Sequence, residues 1–186
     1  SLPNELLRSG LKKSVGSAAV PGTIKIASLD VDYDAVHAEI RRLRANHLEV
    51  DDYFTTRDEH NGNDENDKSQ NRFITSVHCT FAHASQLSQS TMIASFQHLL
   101  GTSIDVKATS LLFTDKIAAI ELDIPTTGGA QGSSSSSAIA IPKPRNEFPH
   151  ITIWCAKDTE AYESNALSAK VKCNEAKRIV FEKPVV

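Results

Sequence analysis

Residues 73–82 and 148–155 alternate apolar and polar side chains with a period of two, and each carries a His and a Thr separated by one residue. In an extended strand, residues i and i+2 point the same way and i+1 points the other way. His78 and Thr80 therefore share one face, backed by Val77, Cys79 and Phe81. His150 and Thr152 share a face in the same manner, backed by Pro149, Ile151, Ile153 and Cys155. Each strand wants a core on one side only. The chain is thus held to a sheet with one packed face and one face that presents two His–Thr pairs. A helical pattern follows each strand, over 88–100 and 158–173, so the sequence reads as two half-domains of one design.

The remaining ordered sequence fits this plan. Ile24–Leu29 reads as a strand, and Val36, Ile40 and Leu43 form one face of a helix over 34–47, with Asp34 as its cap. Strands are expected over 104–113, 117–124, 138–141 and 176–182, with Thr114-Asp115-Lys116 as a hairpin turn and Lys116 structural. Residues 1–22 read as a lead-in or linker, with a short helical turn around Glu5–Leu11. Residues 55–72 are almost free of apolar side chains, and 126–137 are rich in Gly and Ser. Both read as loop insertions in a domain over 23–186. Short strands mixed with a few helices give an α+β class with a largely antiparallel sheet.

Composition narrows the function classes. There are 20 Lys and Arg against 23 Asp and Glu, a net charge of −3. A protein that coats duplex nucleic acid needs clustered cations, so that class is disfavoured, whereas a grip on one phosphate is not. No apolar run approaches the ~20 residues of a membrane span, and no secretory signal stands at the start, so no membrane partner is expected. Cys79, Cys155 and Cys173 are odd in number and widely spaced, which predicts buried free thiols in a reducing, intracellular compartment. A chain that opens on Ser1 without Met is expected to be a piece of a longer polypeptide.

The exposed face of the two strands suits phosphoryl chemistry. Two imidazoles flanking a phosphorus can act as general base and general acid near neutral pH. Two Thr hydroxyls can donate to non-bridging phosphate oxygens. This chemistry calls for no metal or other cofactor. His78 and His83 do not share a strand face, so they make a poor metal pair, and no GxSxG elbow marks a serine nucleophile. His83, near the strand end, is a candidate to stack on a base, and Lys143 and Arg145 are candidates for a flanking phosphate. Trp154 falls on the His150 side by alternation and is a candidate groove wall.

Three segments carry a resemblance. HCTFAH at 78–83 resembles the HVTLAH-type motif of the cyclic phosphodiesterase domain of fungal and plant tRNA ligases. FPHITIWCAKDTEAYESNAL at 148–167 resembles that family's WPHVTIW segment and following helix, and TSLLFTDKIAAIELDI at 109–124 resembles its LLFSDKMAAFE hairpin. The order is the family's own. The resemblance covers 73–182, with Phe81 and Phe148 as small departures from the usual Leu and Trp. No GxxxxGK[ST] or Lys-centred adenylation motif is present, so kinase and ligase chemistry lie outside this sequence.

The family belongs to the 2H phosphoesterases, and the resemblance implies the following. The fold is bilobal, with two pseudo-symmetric antiparallel-sheet lobes around a central groove. The reaction is metal-independent hydrolysis of an RNA 2′,3′-cyclic phosphate end to a 3′-hydroxyl and 2′-phosphate, which heals tRNA exon halves before ligation. His78 and His150 are catalytic, with His150 assigned as base and His78 as acid, and Thr80 and Thr152 bind the phosphate. The reverse division would leave a 3′-phosphate. Ligase and kinase domains of the same polypeptide are partners, in the nucleus or cytoplasm. The competing readings are an RNA-end binding module without turnover and a related enzyme acting on a 2′–5′ linkage.

Overall fold

The structure, a computed structural model, describes residues 7–14, 24–58, 72–128 and 139–181. In chain order the elements are β1 (Leu7–Ser14), β2 (Ile26–Val31), α1 (Tyr33–Asn46), α2 (Leu48–Asp58), β3 (Arg72–Phe73), β4 (His78–His83) and α3 (Gln89–Phe96). A 3-10 turn, Gln97–Leu99, follows, and then β5 (Ser103–Phe113), β6 (Ile117–Asp123), β7 (Thr127–Gly128), β8 (Ile139–Ala140) and β9 (His150–Cys155). A 3-10 helix, Ala161–Ala166, runs into α4 (Leu167–Lys172), and β10 (Lys177–Val180) closes the order.

The main sheet runs β1-β2-β4-β9-β6-β5-β10, and every pairing in it is antiparallel. β1 also pairs with β5, so the six strands from β1 round to β5 close a ring, and β3 adds to β9. This is the expected α+β class with an antiparallel sheet. The two motif strands, β4 and β9, are neighbours joined at one residue pair, Cys79 with Ile151. Both of those side chains are fully buried. The antiparallel sense then carries Thr80 toward His150 and His78 toward Thr152 on the opposite face.

Two apolar clusters hold this arrangement. The larger joins Leu29, Cys79, Phe81, Val106, Ile120 and Ile151 of the sheet to Val36, Ile40 and Leu43 of α1, Val50 and Phe54 of α2, and Met92 and Phe96 of α3. The smaller joins Leu112, Ile117, Ala119, Phe148 and Cys155 to Leu167 of α4. The helix after β9 is thereby clamped beside that strand. Among the described residues, no helix is long and apolar enough to cross a membrane.

Several local expectations change. The segment expected to hold a helical turn near Glu5–Leu11 carries β1 from Leu7 onward, because both strand edges find partners. The cap of α1 is Asp32, whose Oδ1 accepts from Ala35 N at 2.9 Å, and Asp34 sits in the first turn instead. Residues 55–58 belong to α2 rather than to a loop, while 59–71 lie outside the described residues. The single strand expected over 73–82 is two, β3 and β4. The helix expected over 158–173 is a 3-10 segment followed by α4, after Asp158 at φ 57°. Of 126–137, residues 127–128 form β7 and 129–137 are outside the described residues. Cys79 and Cys155 are buried free thiols as expected, but Cys173 is exposed at the end of α4. The 114–116 hairpin stands as read, with Thr114 N donating to Ile117 O at 2.9 Å.

Candidate active site

β4 and β9 present His78, Thr80, His150 and Thr152 to one open groove of about 800 Å³. The residues between them, Cys79 and Ile151, face the core, so strand alternation is what aims all four at the groove. The two histidines are held by the same device. His78 Nδ1 lies 3.2 Å from Ser76 O, and His150 Nδ1 lies 2.6 Å from Phe148 O. A carbonyl only accepts, so each Nδ1 carries the proton and donates two residues back. Each neutral ring is thereby left with a basic Nε2.

Their surroundings differ. His78 is exposed, whereas His150 is 8% exposed and stacks on Phe148 with ring centroids 4.5 Å apart and planes 15° from parallel. Burial holds the pKa of His150 below the usual imidazole value, and the nearby His78 pushes the same way. The Phe148 carbonyl and Glu121 oppose this without cancelling it.

Ser164, fully buried, completes the site from the 3-10 helix. Its Oγ lies 2.7 Å from His150 Nε2, 2.8 Å from Thr152 Oγ1 and 2.7 Å from Ala161 O. With His150 neutral, Ser164 donates to Nε2. With His150 protonated, Nε2–H donates to Ser164 Oγ, and the serine proton turns to the Ala161 carbonyl. Every polar group has a partner in both states, so the ring can change protonation without orphaning a buried donor. Sequence reading passed over Ser164. The available signal was its position three residues before the buried Leu167, which makes it a polar residue on the inward face of a helix.

The other candidates divide. His83 and Arg145 line the groove. His83 Nδ1 accepts from Ser85 N at 3.1 Å, and Arg145 N donates to Phe81 O at 2.8 Å, which ties the 143–148 loop to β4. Lys143 is exposed and does not line the groove. Trp154 does not line it either, because it is 1% exposed in the larger core cluster. The cause is a register shift between β6 and β9: Thr152 pairs with Ala119, but Trp154 pairs with Ala118, leaving Ile153 as the extra residue. That bulge returns Trp154 to the core side, beside Tyr53 and beneath the Arg57 guanidinium. Among the described residues, no group of three or more His, Cys, Asp or Glu side chains could hold a metal ion. The Cys79 thiol is pushed up to about 12 by burial and Cys155 to about 11 for the same reason, so neither is a nucleophile at neutral pH.

Comparison with known proteins follows this geometry. No solved structure matches the chain. Over 164 residues the chain is 26% identical to tRNA ligase 1 of Arabidopsis thaliana, which covers 88% of this chain but 13% of that relative. The family model described as the fungal tRNA ligase phosphodiesterase domain matches residues 27–183, a span that contains both His-x-Thr strands and Ser164. The chain belongs to the fungal tRNA ligase phosphodiesterase domain family.

Proposed function

We propose that the chain hydrolyses RNA 2′,3′-cyclic phosphate ends to a 3′-hydroxyl and a 2′-phosphate, as the end-healing step of tRNA splicing. The observation that carries this reading is two His–Thr pairs in one groove, with one imidazole buried and one exposed. His150, kept neutral by burial, takes the Ser164 hydroxyl proton at Nε2 while the attacking water gives its proton to Ser164 Oγ, so the serine relays the proton and ends as it began. The water oxygen bonds to phosphorus, the P–O3′ bond breaks, and His78, entering the step as the imidazolium with a proton on each nitrogen, gives its Nε2 proton to O3′ and is left as the neutral Nδ1–H ring. One water is added and the phosphate remains on O2′. Thr80 and Thr152 donate to the non-bridging oxygens as charge builds on them.

The paired Nδ1–carbonyl contacts support reading the two strand–helix units as related lobes about the groove. The membership also supports RNA partners and neighbouring domains in a longer ligase polypeptide, since the Arabidopsis relative is far longer than this chain. The test is incubation with a nucleoside 2′,3′-cyclic phosphate in the presence of a chelator, with the product isomer identified. A 2′-phosphate is expected. A 3′-phosphate would reverse the histidine roles. Tight end binding with no product would leave a binding module, and cleavage confined to 2′–5′ linkages would move the reaction to another bond.

A further inference from the structure

The groove does not end at the two His–Thr pairs. The helical stretch that supplies Ser164 turns one side inward and lays another along the groove. Tyr162, Asn165, Ser168, Ala169 and Lys172 all line it, at spacings of three, three, one and three residues. That is one helical face. Ser164, near its start, touches His150 and Thr152, so the stripe begins at the reactive centre and runs away from it. At 1.5–2.0 Å per residue, Tyr162 to Lys172 covers roughly 15–20 Å. A stacked nucleotide strand advances about 3.4 Å per residue. The wall is therefore longer than one terminal nucleotide needs.

Its chemistry is that of a strand-binding surface. Tyr162 is 71% exposed, the most exposed of the large hydrophobic side chains here after Leu48. With Trp154 in the core and Phe81 and Phe148 buried, Tyr162 is the groove's exposed benzenoid ring, beside the exposed imidazoles of His78 and His83. The stripe carries no carboxylate, in a chain whose net charge is −3, and it ends on a lysine. Glu163, the acid within this stretch, is turned away: its side chain accepts from Glu160 N at 2.9 Å in a capping box. Across the groove, Asn146 Nδ2 donates to Asn165 Oδ1 at 2.6 Å, bracing the loop that carries Arg145 against the stripe. Glu147 is the carboxylate on that loop.

We propose that this stripe is a second subsite, which binds the nucleotides on the 5′ side of the cyclic phosphate: Tyr162 stacks on a base and Lys172 meets a backbone phosphate. The inference rests on the cyclic-phosphate reading above, and the direction follows from it. A 2′,3′-cyclic phosphate terminates its strand, so any further nucleotide lies on the 5′ side. Aromatic stacking tolerates any base, so the subsite selects for chain length rather than sequence.

The experiment compares kcat/KM for a trinucleotide bearing a 2′,3′-cyclic phosphate with that for the matching nucleoside 2′,3′-cyclic phosphate. The ratio is expected to be about 10 or more and to fall with added salt, because only the trinucleotide brings phosphates to the stripe. Tyr162→Ala should lower the ratio roughly tenfold, Lys172→Ala should lower it about threefold and flatten its salt dependence, and Lys107→Ala, at an exposed position of β5, should leave it alone. A wild-type ratio near 1, or equal losses on both substrates in Tyr162→Ala, overturns the subsite while leaving the phosphodiesterase reading standing. If neither substrate is turned over, that reading fails, and the affinities for a 2′-phosphate-ended trinucleotide and mononucleotide decide the subsite: equal affinities overturn it.

Discussion

At both motif strands an imidazole Nδ1 donates to the carbonyl two residues back, yet the two histidines live in different media. His78 stands in solvent at the start of β4 with its Nε2 open to the groove. His150 is stacked on Phe148, walled by Ser164, and held below the usual imidazole pKa by burial. The same backbone geometry thus sets both tautomers, while burial lowers the pKa of the His150 ring. A base that stays neutral near pH 7 is what the proton-accepting side of an acid–base pair requires. The buried ring is the one suited to accept a proton at neutral pH.

The largest expected effect tests whether the pair works as one machine. His78→Ala and His150→Ala should each lower kcat/KM by about 10²–10⁴-fold. If both act in one transition state, the double variant loses little beyond the worse single variant. Losses that multiply would mean two independent contributions and would break the comparison. Steady-state rates on a nucleoside 2′,3′-cyclic phosphate read this directly.

The next effect is in pH. With His150 as base, kcat/KM falls on the acid side, and because the His150 pKa is lowered that limb lies below about pH 6.5. Stability carries the same signature. Below pH 6.5 the unfolded chain takes up a proton that folded His150 resists, so stability declines as pH drops from 6.5 through the folded value, and is unpenalised above 6.5. Urea midpoints at pH 7.5 and 5.5 should differ less in His150→Gln than in the parent. An equal difference would show that burial does not lower the His150 pKa.

Ser164 sharpens the contrast further, since among the hydrogen bonds of the described residues His78 has no equivalent hydroxyl at its Nε2. Ser164→Ala should slow turnover roughly tenfold and lower stability by about 1 kcal/mol, the range for a lost buried hydrogen bond. The effect belongs in kcat, because the hydroxyl passes a proton between the attacking water and the ring and does not hold the nucleotide. A change confined to KM would place Ser164 among the binding groups instead.

How much of this was legible varies by element. Period-two alternation placed Cys79 and Phe81 inward and His78 and Thr80 outward, and the same logic served Ile151 against His150 and Thr152. It failed at Trp154, because Ile153, Trp154 and Cys155 are all apolar and an unbroken apolar run carries no phase from which to read a bulge. β1 was missed because Arg8, Gly10, Lys12 and Lys13 have no strand pattern; pairing on both edges, which is long-range, makes it a strand. α2 was lost in its polar residues, although Val50, Tyr53 and Phe54 at i, i+3 and i+4 were a helical signal, and all three are buried. Ser164 needed the same attention to a helix's inward face. The lettering of the two His-x-Thr strands was local, while the residues packed around them arrive through tertiary packing.

The smallest expected effect falls on the residue that alternation put on the wrong side. Trp154 is the chain's single tryptophan, 1% exposed, with its Nε1 buried and unpartnered among the described residues. Trp154→Phe surrenders no hydrogen bond and part of one side chain's burial, so its stability loss should stay well under the ~3–5 kcal/mol of truncation to Ala. Its kcat/KM should stay within about twofold of the parent, since the bulge at Ile153 separates position 154 from the groove. Fluorescence gives the same answer without a variant. Emission should be blue-shifted, resistant to acrylamide, and unchanged as a nucleotide 2′-phosphate is titrated in. Quenching by that nucleotide, or a large loss of activity in folded Trp154→Phe, would mean that the ring faces the groove after all. The two His-x-Thr strands would then share an unbroken alternation, and the asymmetry between them would rest on His150 and Ser164 alone.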